Sequence, residues 1–164
     1  MTGATMKLLG TFSALALCAA LDGAAAQSLQ EGRIYSMMGG CNDCHTVGYA
    51  ESAAKTPESE WLKGSPVGFR GPWGTTYPAN LRLLLKDMSE DDWVQHARTF
   101  ETRPPMPWYD VHVAPESMLW SFHRFVLSLG EPGDPVPAYV PPTEEPMTPY
   151  IVFAPPTMPA AAPN

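Results

Sequence analysis

The sequence predicts an all-α domain of three to four short helices joined by long ordered loops, closed around a group the polypeptide does not itself supply. Three observations carry this. Helix caps and 3.6-residue apolar stripes recur along the chain, while no stretch alternates as a half-buried strand would. The loops leave little apolar surface on regular elements to offset chain entropy. Two of the three cysteines stand together in GGCNDCHTVG, residues 39 to 48.

Residues 1–26 read as a secretory signal. Lys7 is the only charge before Asp22, an apolar run LLGTFSALALCAAL follows it, and Ala24-Ala25-Ala26 offers a cleavage site before Gln27. That run, about 14 residues, is short of the roughly 20 needed to span a bilayer as a helix. Its removal takes Cys18 with it. The expectation is an exported, periplasmic chain with no membrane span after residue 27. The net charge of −7 argues against nucleic acid or anionic lipid as a partner and is compatible with docking to a basic protein surface.

The domain spans 27–131. SLQEGRIYSMMGG reads as a helix capped by Ser28, with Glu31 three residues on and Leu29, Ile34, Met37 and Met38 as its apolar contacts. PESEWLKG suggests one helical turn, with Thr56 as cap, Pro57 at its first position and Gly64 as stop. GSPVGFRGPWGTTYPAN reads as loop. Ser89 and Asp92 form a capping box for a helix over 89–101, whose shared face holds Trp93, Val94, Ala97 and Phe100. ETRPPMPWYDV reads as a proline-bracketed loop. A last helix over about 115–129 carries a stripe of Met118, Leu119, Phe122, Val126 and Leu129. Residues 132–164 form a tail with 11 prolines in 33 residues, a composition that favours extended chain. Its apolar knot, Tyr150 to Phe153, is expected to dock on the domain or on a partner.

Cys41-x-x-Cys44-His45 admits a redox dithiol, half of a zinc site, or covalent attachment of haem. Zinc needs two further ligands, yet His96, His112 and His123 are scattered. A redox dithiol expects a neighbouring mixed sheet, and none is read here. Haem attachment needs two anchors for its edge and one ligand beside them, which this spacing supplies. Haem would also fill the middle of a loop-rich chain. Candidates for a second iron ligand are Met88, Met106, Met118, Met147, Met158 and the other histidines. Met106 is favoured, because Pro104, Pro105 and Pro107 stiffen its loop and aromatics follow. Its blander reading is a methionine filling a loop gap. An apolar slot between His45 and Met106 is expected.

On these residues the chain resembles class I single-haem c-type cytochromes from about Leu29 to Val140. GTTYPAN, a Trp-containing helix and RPPMPWYDV are similar to segments of the cytochrome subunits of periplasmic dehydrogenases. The resemblance implies a small cytochrome c fold, one covalent haem c with iron, thioether bonds at Cys41 and Cys44, and His45 and Met106 as axial ligands. It places Tyr77 and Asn80 near the haem or its propionates. It also implies a proline carbonyl, that of Pro72 or its rival Pro66, as acceptor for the second N–H of His45. The function implied is electron transfer, not enzymatic catalysis, between a donor dehydrogenase and an acceptor oxidase or cytochrome. The alternatives are a haem-based small-ligand sensor or enzyme with a labile distal site, and a haem subunit of a larger oxidoreductase complex.

Overall fold

Helix α1 (residues 28–38) crosses α6 (Glu116–Ser128) at Gly32, and this crossing sets the frame of the molecule. The structure is a computed structural model, and residues 28–157 are described. The expected signal segment, with Cys18, and Met158 lie outside them. A Cβ at Gly32 would stand 2.0 Å from the Ser121 carbonyl oxygen and 2.6 Å from Phe125 Cβ, so the helices approach to backbone contact. The buried side of α1 is therefore Ser28, Gly32 and Ser36, a stripe of small residues four apart. The Ser28 and Ser121 hydroxyls meet at 3.2 Å across this seam. The four apolar residues expected to make the contacts, Leu29, Ile34, Met37 and Met38, are exposed instead.

After α1 come α2 (Cys41–His45), the 3-10 turn η1 (Glu58–Glu60), strands β1 (Gly68–Gly71) and β2 (Gly74–Thr76), and α3 (Leu81–Leu85). Then follow α4 (Glu90–Thr99), α5 (Trp108–His112), α6 and β3 (Tyr150–Val152). The fold is thus helix-rich but mixed, with six helices among the described residues and one small sheet, rather than plainly all-α. The strands are three or four residues long, and β1 and β2 carry glycines, so they are too short to show a two-residue period. Sheet order is β2-β1-β3, with Arg70 opposite Thr75 in the antiparallel pair and opposite Val152 in the parallel one. The apolar knot of the tail therefore docks as β3 on the domain's own hairpin.

The capping box at α4 forms as expected: the Ser89 hydroxyl accepts from Asp92 N–H at 3.1 Å, and Asp92 Oδ2 accepts from Ser89 N–H at 3.1 Å. Trp93 and Ala97 are buried, and Trp93 Nε1 donates to the Leu119 carbonyl at 3.0 Å, locking α4 to α6. The core gathers Trp61, Leu62, Leu85, Leu119, Phe122, Phe125 and Val126. Met118, expected on the stripe of α6, is exposed, and Phe125 takes a core place. Among the described residues, no helix is long and apolar enough to cross a membrane.

Arg82, 3 % exposed, joins these parts. Its guanidinium donates to the carbonyls of Trp61 (2.8 Å), Glu58 (3.1 Å), Ser59 (3.0 Å), Leu129 (2.7 Å) and Glu131 (3.1 Å). Arg82→Lys keeps the charge but not the planar fork, and should lower the unfolding free energy by about 3 kcal/mol in urea titrations. Gly32→Ala should cost about 2 kcal/mol through overpacking, read as a fall in Tm.

Candidate functional site

Helix α2 is a little over one turn long, and its spacing sorts its side chains. Cys41 and Cys44, three apart, share one face; Asn42 and His45, also three apart, share the adjoining buried one. Asn42 is fully buried and acts as a spacer: its amide donates to Ser36 Oγ at 3.3 Å, and its Oδ1 accepts from the Thr46 hydroxyl at 2.7 Å. Thr46 Oγ1 in turn accepts from Leu62 N–H at 2.8 Å, and Gly64 N–H donates to the His45 carbonyl at 2.8 Å. The backbone around His45 is held on both sides.

The His45 imidazole is buried, and Nδ1 lies 2.7 Å from the Ala79 carbonyl oxygen. A carbonyl can only accept, so the ring proton sits on Nδ1. Burial pushes the imidazole below its ordinary pKa, against the opposing pull of the Ala79 acceptor. The ring is therefore neutral at pH 7, with the lone pair on Nε2, and the ring's hydrogen bond among the described residues is the one through Nδ1. This is the state a metal-ligating histidine requires. The acceptor corrects the expectation of a proline carbonyl. Pro72 lies exposed in the β1–β2 turn, and Pro66 is likewise exposed.

Both cysteines are free thiols. Burial pushes Cys41 up to about 12, and the Asp43 carboxylate and Cys44 add to it. Burial and then Asp43 raise Cys44 as well. Thiols held in this state are not the low-pKa nucleophiles of disulfide exchange. Two free thiols one helical turn apart, beside a neutral imidazole with its lone pair on Nε2, fit the donor set that covalent haem needs.

The remaining candidates are dispersed. The Tyr77 hydroxyl bonds to Thr148 of the tail at 2.8 Å. Asn80 caps α3, accepting from Leu83 N–H at 3.0 Å, while its amide reaches the Pro132 and Asp134 carbonyls. Met106 is half-buried on the α4–α5 loop and shares no hydrogen bond through its sulfur among the described residues. That loop is tied down by the Thr76 hydroxyl, which donates to the Pro104 carbonyl at 2.9 Å, and by Arg103 stacked over Tyr139 at 3.9 Å. His96 stacks on Phe100; His112 Nε2 bonds the Phe100 carbonyl; buried His123 bonds the Met88 carbonyl. Met147 is 98 % exposed.

Among the described residues no three His, Cys, Asp or Glu side chains converge as a metal site. Two surface clefts are formed elsewhere. One, of about 510 Å³, lies between Arg33, Glu58 and Phe125; the other, of about 410 Å³, lies by Arg70, Pro72 and Phe153. Neither includes His45 or Met106, so neither is the slot expected between them. Sequence reasoning missed Asn42, Thr46 and the Ala79 carbonyl. Only the burial of Asn42 inside the motif could have been guessed from helical spacing. Asn42→Ala strands the Thr46–Leu62 link and should cost about 2 kcal/mol, measured by urea denaturation. Comparison with protein-family models, with curated proteins and with solved structures finds no match for this chain.

Proposed function

We propose that this chain is an exported electron carrier of the c-type cytochrome kind, with one haem c bound through Cys41 and Cys44 and ligated by His45. The observation that carries the reading is the state of His45: neutral, its proton held by Ala79, its lone pair on Nε2, and both free thiols on the same turn. When bound, haem supplies a one-electron carrier whose potential is set by its axial ligands and its burial.

The chain's part is to hold that ligand still. Ala79 keeps the proton on Nδ1 and orients the ring, the Gly64 N–H anchors the His45 carbonyl, and Asn42 fixes the turn from inside. Met106 is the proposed second ligand, offered by a loop in which Pro104, Pro105 and Pro107 restrict the backbone. A thioether without polar partners suits a soft, weakly held ligand. Among the described residues zinc finds no convergent group of three ligands, and disulfide exchange finds no activated thiolate at Cys41 or Cys44. The finer fold reading, a cytochrome c fold extended by a sheet-forming tail, goes with this proposal. So do the periplasmic location, the donor dehydrogenase and the acceptor oxidase or cytochrome.

The test is the optical spectrum of the mature protein, oxidised, reduced, and reduced under carbon monoxide, after haem staining of a denaturing gel. The expected result is haem that survives denaturation, a far-red methionine–iron band in the ferric form, and no response to carbon monoxide. Met106→Ala should abolish the band and admit carbon monoxide. A carbon monoxide adduct of the unaltered protein would make it a small-ligand sensor or enzyme instead, and absence of covalent haem would overturn the proposal.

A further inference from the structure

Beside the Ala79 carbonyl, Asn80 carries contacts that nothing in the proposed carrier role accounts for. Ala79 gives its carbonyl to His45 Nδ1 at 2.7 Å. Next to it, Asn80 is 5 % exposed and uses all its polar atoms: Oδ1 accepts from Leu83 N–H, and Nδ2 donates to the Pro132 carbonyl at 2.7 Å and the Asp134 carbonyl at 3.0 Å. The cap alone would need only Oδ1. The two hydrogen bonds from its amide reach across 52 and 54 residues to the first residues of the proline-rich tail.

A second contact closes the same sandwich. Gly64, whose N–H holds the His45 carbonyl, has φ +79, and a Cβ there would stand 2.4 Å from Val136 Cγ1, 2.7 Å from the Pro78 carbonyl and 2.8 Å from Asn80 N. The tail at 132–136, the segment 78–80 and the segment 64–65 are therefore stacked without a gap. Ser65 N–H bonds the Pro78 carbonyl at 3.2 Å, and Leu81 N–H the Leu62 carbonyl at 2.9 Å. Both backbone anchors of His45, Gly64 N–H and Ala79 C=O, lie in layers that the tail covers.

We infer that Asn80 is a positioning residue for His45: it ties the Ala79 carbonyl to tail residues 132–136, so that the orientation of the imidazole depends on the docked tail. The inference rests on the proposed reading only in taking His45 as the ligand. The tail beyond residue 140 is held separately, through Arg70 to the Pro142 and Glu144 carbonyls and through β3, and is not needed for this link.

The experiment reads solvent exchange of the His45 Nδ1 proton by NMR in the purified mature protein, at one pH and temperature. Asn80→Ser and Asn80→Asp both keep an oxygen for the α3 cap and lose the amide donor to Pro132 and Asp134. Each should exchange at least tenfold faster than the unaltered chain. Val136→Gly in the full chain strips the tail's packing on Gly64 and should also accelerate exchange. Should Asn80→Ser fail to accumulate, Asn80→Asp and Val136→Gly read the link from its two sides. Unchanged exchange in these variants, even with lowered Tm, would overturn the inference and leave Asn80 as a helix cap. The readout needs no iron: haem staining judges the carrier proposal, and proton exchange judges the link.

Discussion

Five backbone carbonyls from two separate parts of the chain converge on the Arg82 guanidinium, and most of the architecture hangs from that point. A buried charge is tolerated only when its donors are met, and here they are met by dipoles rather than by a carboxylate. One acceptor, Leu129, caps the C-terminal end of α6, where carbonyls have no helical partner and the helix dipole is negative, and Glu131 follows just beyond it. The same group binds η1 and the Trp61 carbonyl, which lead directly into Leu62 and Gly64 beside the histidine. One side chain thus fixes the distance between the last helix and the loop that backs the candidate site.

The proline-rich tail is part of this packing, and its apolar knot docks on the domain, one of the two places expected for it. Proline removes a donor from the backbone but leaves the carbonyl, and an extended chain turns those carbonyls outward. The domain uses them. Asn80 reaches Pro132, Arg70 reaches Pro142, and Gly68 N–H bonds the Pro149 carbonyl at 2.8 Å. A segment poor in core-forming side chains is held by the acceptors it offers to donors of the domain, and then by the ladder of β3.

The elements that could be read in advance were those with local signals. The capping box at Ser89 and Asp92 and the long stripe of α6 announce helices from side chains alone. Where tertiary contact decides, the reading failed. On α1 the small residues face inward, because close helix crossing selects for lack of bulk, and the apolar ones face out. Helices α3 and α5 are each five residues long and sit among prolines and leucines with no period to detect. The motif Cys41, Cys44 and His45 was legible because its chemistry lies in side chains at fixed spacing. The acceptor that orients His45 was not, because a backbone carbonyl on alanine leaves no trace in the residue type.

The pairing of β1 with β3 has a consequence in time. It joins segments about 80 residues apart, a closure costing on the order of 4 kcal/mol in chain entropy. The acceptors at 129 to 134 are likewise made late, whereas the turn with both thiols is made early. In a chain emerging N-terminus first, Cys41 and Cys44 precede Gly64 and Ala79, the two backbone anchors of His45. The tail residues that cover those anchors come last, so the turn that carries both thiols is complete in sequence long before its backing is.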